Sequence, residues 1–370
     1  MYPMETWRLI DLGKAEPLMA QTFYEAVAQA VDNGSSPNTI LLVQPSRPYV
    51  CIGFHQELKK EIDLKYCRGN DLTVIRRSQG GGATYLDSDQ LFYQVVANKK
   101  SEIIPLDINE LFKKFLGVTV YVYMRLGLPA EFKALNDVVV YGRKISGNGA
   151  GSYGENSIIL VGNVIFDLDY DSMSRVLKVP SEKFRDKMAK SMVEWVTSIK
   201  RERGSAPSIE EVKRLLLEGY KELLRVDLVL GEPSTYEKVI WEQNVRPRHL
   251  SDEWLYLPEM RHERLIGKRT IKVASDVRIV EIEYKAKKLI RVTAELTGDE
   301  VKDVMLSGDF FMMPEDGLPK LESALNGIDL VRERILKRIR AVYEKDGIQT
   351  PGIGPEDFTE AIMRLKEPNS

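Results

Sequence analysis

Two glycine-rich stretches hold cations at their centres: RRSQGGGATYLDSDQ, Arg76 to Gln90, and NDVVVYGRKISGNGAGSYG, Asn136 to Gly154. Arginine offers a planar fork of donors to phosphate or carboxylate, and backbone N–H groups in a glycine run can cradle an anion. Three consecutive glycines cost conformational entropy, so such a run belongs where backbone must approach something closely or turn sharply. With Arg76 and Arg77 at the mouth of the run, that something is expected to be an anion. Lys144 is the one lysine of the second stretch, a compact point charge beside Arg143. Two such loops on one sheet could face each other across a single anionic ligand. Asp87, Asp89 and Asp137 are carboxylates that could hold magnesium, although solvated turns explain carboxylates equally well. A glycine hairpin with surface arginines and a strand-end lysine are the corresponding structural readings of the two stretches.

Two familiar motifs are excluded. Gly149 to Gly154 formally fits G-x-G-x-x-G, but NSIILVGNVIFD follows it and reads as a strand, whereas the dinucleotide fingerprint opens a helix. No Gly-Lys-Ser/Thr closes either run, so neither is a P-loop. Cys51 lies in the apolar run YVCIGF, Cys67 has no histidine near it in sequence, and His55 has no partner at ligand spacing. Two cysteines and three histidines are too few for a disulfide framework or a zinc cage.

The elements that must position these residues follow from periodicity. Leu18, Thr22, Ala26 and Ala30 keep helical spacing up to a stop at Asp32-Asn33-Gly34. TILLVQP, PYVCIGF, LTVIRRS and LFYQVVA read as strands, with the glycine run between the last two. Ile108, Leu111, Phe112 and Phe115 mark a helix. NDVVVYGRKISG and SIILVGNVIFDLD are strand-like, and Ser208 with Glu211 begins another helix at capping-box spacing. Strands and helices do not alternate strictly, which predicts an α+β fold with a mixed, largely antiparallel sheet flanked by helices. Around residues 246–262 the pattern lapses into proline, tryptophan and charge. A small α+β domain follows, with strands in IVEIEYKAKKLIRVTAEL and a helix whose stripe is Ile328, Val331, Ile335, Ile339 and Val342.

The 370 residues carry a net charge of -2, which argues against a general nucleic-acid binder. No stretch approaches the ~18 apolar residues of a membrane span, and MYPMETWRLIDLG lacks a signal peptide's basic start and apolar core. A cytoplasmic protein that binds neither nucleic acid nor membrane is expected.

In this order and spacing the residues resemble the lipoate–protein ligase A family, within the biotin/lipoate ligase fold group. Arg-Arg-x-x-Gly-Gly-Gly-Ala matches Arg76 to Ala83, Asn-Asp-hydrophobic matches Asn136 to Val139, and Lys-hydrophobic-x-Gly matches Lys144 to Gly147. Ile52-Gly53-Phe54-His55-Gln56 is similar to the family's strand end, and RVLKVPSEKFRDKMAKS (175–191) to the segment after the core sheet. The resemblance implies a catalytic domain over 1–256 and a fused accessory domain over 257–370. It implies activation of lipoate with ATP and magnesium to lipoyl-AMP, releasing pyrophosphate. The lipoyl group then passes to one lysine of an acceptor domain, of 2-oxoacid dehydrogenases or the glycine-cleavage H protein. A monomer is expected. By position, Arg77, Gly80, Gly81, Gly82, Ala83, Thr84, Tyr85, Asp87, Asn136, Asp137 and Lys144 would contact the nucleotide or adenylate. Arg77, Gly82, Lys144, Ser146 and Gly147 would contact lipoate, Lys144 would be the catalytic cation, and Asp137 would hold magnesium.

Departures from the family pattern are Leu86-Asp87 for His-Asp, Val161-Gly162-Asn163 for His-Gly-Thr, and Ala20 for a first-helix asparagine. Two alternatives stay open. An octanoyl or lipoyl transferase would work through a cysteine downstream of the lysine motif, and no cysteine follows Cys67. A non-catalytic lipoate-binding paralogue would tolerate the missing histidines. The basic excess between Arg261 and Arg291 is a possible docking surface for an acidic acceptor, against the reading of a solvated sheet face.

Overall fold

The computed structural model describes residues 4–133, 135–267 and 277–366. Among the described residues the strands are β1 (Glu5–Ala15), β2 (Thr39–Pro45), β3 (Tyr49–Ile52), β4 (Thr73–Arg76), β5 (Thr84–Leu86), β6 (Gln90–Asn98), β7 (Ala130–Lys133), β8 (Asp137–Val140), β9 (Arg143–Tyr153), β10 (Ser157–Ile165), β11 (Val226–Leu230), β12 (Val277–Lys285), β13 (Leu289–Thr297), β14 (Glu300–Gly308) and β15 (Ile328–Asp329). Eight of them form one sheet in the order β11-β1-β2-β6-β10-β9-β8-β7. Only β11–β1 and β1–β2 pair in parallel; the other neighbours are antiparallel. The mixed, largely antiparallel architecture is therefore as expected.

The central strands β2, β6 and β10 are almost wholly buried, which explains why their sequences are continuous apolar runs rather than alternating ones. One face packs on the helix Pro17–Asp32, whose Phe23, Val27 and Val31 meet Ile10, Leu41, Val96 and Ile159. The helix Ile108–Arg125 starts where Asp107 accepts the N–H groups of Asn109 and Glu110 and buries Leu111, Phe112 and Phe115. A second sheet, β12-β13-β14-β15, is antiparallel; Ile290, Val292 and Leu306 pack there with Leu321, Ile335, Ile339 and Phe358 of three helices. A third, of three strands, runs β4-β3-β5.

The chain divides into two compact units. One comprises residues 1–51, 62–77 and 84–250; the other comprises 52–61, 78–83 and 251–370. Two short segments from the N-terminal half thus pack with the C-terminal residues. His55 stacks on Phe310 at 4.8 Å between ring centres, and Phe54 meets Trp254 at 5.5 Å. The buried Glu57 carboxylate accepts from Ser307 Oγ at 2.7 Å and lies 3.0 Å from His262 Nδ1.

Several elements differ from the sequence reading. LTVIRRS and LFYQVVA do not form a hairpin, since β4 pairs in the small sheet and β6 in the large one. Residues 246–262 are helical rather than irregular, in short helices broken at Ser251 and Tyr256. The last apolar stripe is shared: Ile328 lies in β15, and the helix begins only at Arg332. Strands β1, β7 and β11 were not foreseen, because their sequences mix charge and apolar residues and pairing partners decide them.

Candidate active site

NDVVVYGRKISG is two strands, turned at Tyr141-Gly142, both with positive φ. The glycine-rich stretch that follows is no loop. It is the second half of β9, paired with β10 over Asn148–Tyr153 while the first half pairs with β8, and this pairing outweighs the poor strand propensity of glycine. Opposite β8 the register slips by one residue, with Val138 facing Ser146 but Val139 facing Lys144. The extra residue is Ile145, which is wholly buried. A bulge of this kind re-aims the neighbouring side chains.

The bulge is braced from outside the ladder. Thr197 N–H donates to the Lys144 carbonyl at 2.8 Å and Tyr123 Oη donates to the Ile145 carbonyl at 2.7 Å. Gly147 N–H donates to Asn163 Oδ1 at 2.8 Å. Lys144 itself is half-exposed, its Nζ 2.6 Å from Asp137 Oδ1. That buried oxygen accepts no directed hydrogen bond among the described residues, so the ammonium is what compensates it. The neighbouring Arg143 forms a two-pronged pair with Glu202, at 3.0 and 2.7 Å.

The other expected site residues fall into groups. Arg77 follows β4 and is partly exposed, with Nη1 3.4 Å from Cys51 Sγ. Arg76 is not at the mouth of anything: its side chain is completely buried at the end of β4. Thr84 is exposed, whereas Tyr85 and Asp87 are buried. Burial pushes the Tyr85 hydroxyl up to about 12 and the Asp87 carboxyl up to about 6. Asn136 is committed to the fold, since its amide donates to the Asn148 carbonyl and its own carbonyl accepts from Asn148 Nδ2 at 3.0 Å. Ser146 Oγ points inward and donates to the Asn163 carbonyl at 2.7 Å.

The glycine run has a different neighbour from the one expected. Residues 78–83 pack in the second unit, where Gly81 N–H donates to the Phe310 carbonyl at 3.2 Å. A Cβ on Gly80 would lie 2.1 Å from that same oxygen, and Gly81 has φ +94°. The close approach announced by three glycines is, in this structure, to the protein's own backbone.

Neither cysteine is a nucleophile in waiting. Both are buried; burial raises the Cys51 thiol despite Arg77 beside it, and carries Cys67 up to about 11. Among the described residues, the group with metal-ligand spacing is Glu57, His262 and Glu281 in the second unit, and Lys60 already bridges its two carboxylates. In the basic stretch from Arg261 to Arg291, Arg261 pairs with Glu322, Lys285 with Asp309, and Arg291 with Glu61 and Glu283. Lys268, Arg269 and Lys272 lie outside the described residues. Sequence reasoning missed Tyr123 and Thr197 and named Asn163 only as a departure from the family pattern; all three are distant in the chain and reach the bulge only through the tertiary fold.

Residues 16–221, more than half the chain, match the lipoyl protein ligase A/B catalytic domain. The chain belongs to this family. Lipoate-protein ligase A subunit 1 of Thermoplasma acidophilum is 30% identical over 245 residues, covering 64% of this chain and 90% of that protein. An octanoyltransferase, LipM of Kyrpidia tusciae, is 28% identical over 275 residues, covering 68% and 99%. Among solved structures, the bipartite lipoate protein ligase of T. acidophilum, described with its E2 lipoyl domain, superposes with a TM-score of 0.61 at 30% identity over 68% of this chain and 96% of its own. A lipoate-protein ligase A bound with ATP gives 0.58 at 25% identity, over 68% and 98%. These relatives include both lipoate-protein ligases and octanoyltransferases, and the chain is an enzyme of that combined group.

Proposed function

We propose that the protein is an ATP-dependent lipoate–protein ligase, acting in two half-reactions at the Lys144 bulge. The single observation that carries this reading is the fixed, half-exposed Lys144 ammonium on a braced strand, in a chain without an accessible thiol. Adenylation is attack of a carboxylate on an α-phosphate, so two anions must be brought together. A preorganised cation that follows the developing charge lowers that barrier. Lys144 serves as that cation, with Asp137 holding it in place until substrate competes for the ammonium. Arg77 and Thr84 are the accessible donors for the nucleotide. Asn136 and Ser146 support the strands, and Ser146 would reach lipoate only through its backbone.

The site offers magnesium one carboxylate. Asp137, with a buried oxygen compensated only by an ammonium, is the carboxylate that would hold it alongside substrate phosphates. When bound, the ion would neutralise charge on the phosphates.

In the second half-reaction an acceptor lysine attacks the lipoyl-AMP carbonyl and AMP leaves. The T. acidophilum ligase is described with an E2 lipoyl domain, which supports lipoyl-type domains as acceptors here. The curated octanoyltransferase relatives favour a second reading, acyl transfer from a carrier protein through a thioester. That route needs a thiolate, and two buried thiols with raised pKa values argue against it.

Mass spectrometry of the purified protein with lipoate, ATP and magnesium, without and with a lipoyl domain, tests the proposal. Lipoyl-AMP followed by the lipoyl mass gain on the acceptor is the expected result. ATP-independent transfer from an octanoyl carrier protein would replace it with the transferase reading, and neither product would leave a non-catalytic binder.

A further inference from the structure

Asn163 sits where two requirements of the Lys144 bulge meet. Its Oδ1 accepts the Gly147 N–H at 2.8 Å and its main-chain carbonyl accepts Ser146 Oγ at 2.7 Å. Its Nδ2 donates to Gln90 Oε1 at 2.8 Å. Both side chains are buried, Gln90 at 1% exposed and Asn163 at 7%. A carboxamide can flip, exchanging its oxygen and nitrogen. Here Gln90 specifies the orientation, because a flipped Asn163 would point N–H at N–H on Gly147 and oxygen at oxygen on Gln90. Gly147 is the residue on which this acts. An ideal Cβ there would lie 3.8 Å from Asn163 Oδ1 and equally 3.8 Å from Lys144 Cε. The lysine stem and the asparagine amide therefore flank the same face of Gly147, and Gly147 stands opposite Asp137, the partner of the ammonium.

We infer that Asn163, oriented by Gln90, is a positioning residue that fixes the Gly147 backbone and through it the height of the Lys144 ammonium over the reacting phosphate. This rests on the ligase reading of the same site. The lysine alone supplies the charge; the asparagine sets where the charge is. Without the Asn163 acceptor, the Gly147 N–H loses its partner, the bulge can relax, and the lysine can settle more deeply on Asp137. Because the displaced group acts on charge that develops during the reaction, the loss should fall on turnover rather than on ATP binding.

The test uses the full chain with Asn163→Ala and Gln90→Met. In ligand-free protein, the Gly147 amide should exchange its hydrogen faster in both variants while strands β2 and β6 stay protected. In ATP–pyrophosphate exchange with lipoate, kcat should fall on the order of tenfold to a hundredfold with the KM for ATP unchanged, the cost of a small misplacement of a catalytic group. Unchanged Gly147 exchange in Asn163→Ala would overturn the inference, as would a loss in KM for ATP that equals the loss in kcat. If the wild-type protein forms no adenylate, the ligase reading fails by itself; the Gly147 exchange, measured without substrate, still decides whether Asn163 holds the bulge.

Discussion

At the scale of single residues, Lys144 and Asp137 are the pair on which the proposed chemistry depends. Lys144→Ala should abolish lipoyl-AMP formation while the protein still folds, with a small drop in melting temperature because the buried Asp137 oxygen loses the charge that compensates it. Substantial pyrophosphate release from that variant would remove Lys144 from the mechanism. Asp87 gives a second prediction, of stability and its sign. Burial lifts its carboxyl from 3.8 to about 6. A group raised in the folded state contributes stability below its unfolded value and loses it as pH rises through the folded one. Asp87→Asn should therefore stabilise the protein at pH 8, by on the order of 3 kcal/mol from the size of the shift. The advantage should shrink to nothing near pH 4, as read by denaturant unfolding at the two pH values. An advantage independent of pH would contradict the assignment.

At the scale of elements, the decisive feature is how β9 is held between β8 and β10. Beneath the bulge, Thr119 Oγ1 donates to Tyr93 Oη and Tyr93 Oη donates to Asn148 Oδ1, each at 2.6 Å. Gly162 on β10 makes room for this network, because a Cβ there would fall 2.1 Å from Asn148 Oδ1 and 2.3 Å from Tyr93 Oη. Gly162→Ala should cost about 3 kcal/mol, combining overpacking with broken buried hydrogen bonds. It should also lower activity, since Asn148 carries the Asn136 amide next to Asp137. A thermal melt within a degree or two of wild type would show that the network yields more easily than its distances imply.

At the scale of the whole molecule, the two compact units are not two consecutive stretches of chain. Residues 52–61 and 78–83 belong with 251–370, tied by the Gly308 N–H to His55 carbonyl bond at 2.9 Å and by Gly81 to Phe310. Residues 1–250 made alone should therefore expose Phe54, His55 and Gln79, and melt less cooperatively or aggregate. Supplying residues 251–370 in trans should restore a single transition. A fragment 1–250 that melts as cooperatively as the full chain would show that these segments fold without their C-terminal partners. No helix among the described residues is long and apolar enough to cross a membrane.

The chemistry's raw materials are legible in the residues alone: an order of arginine, glycine run, Asn-Asp and lysine motif specific enough to imply the family, and apolar runs that read as the central strands. Burial on both faces writes β2, β6 and β10 into composition, so they were legible. Where those materials go is set by long-range packing. The glycine run meets Phe310, more than two hundred residues away. Arg76 is buried while its neighbour Arg77 is not, because successive residues of an extended chain point to opposite sides. Lys144 is aimed by a bulge whose braces, Tyr123, Asn163 and Thr197, come from other elements. Such contacts have no local periodicity to betray them. They arise from strand pairing and from the need of each buried backbone group to find a partner, which the folded chain satisfies at long range.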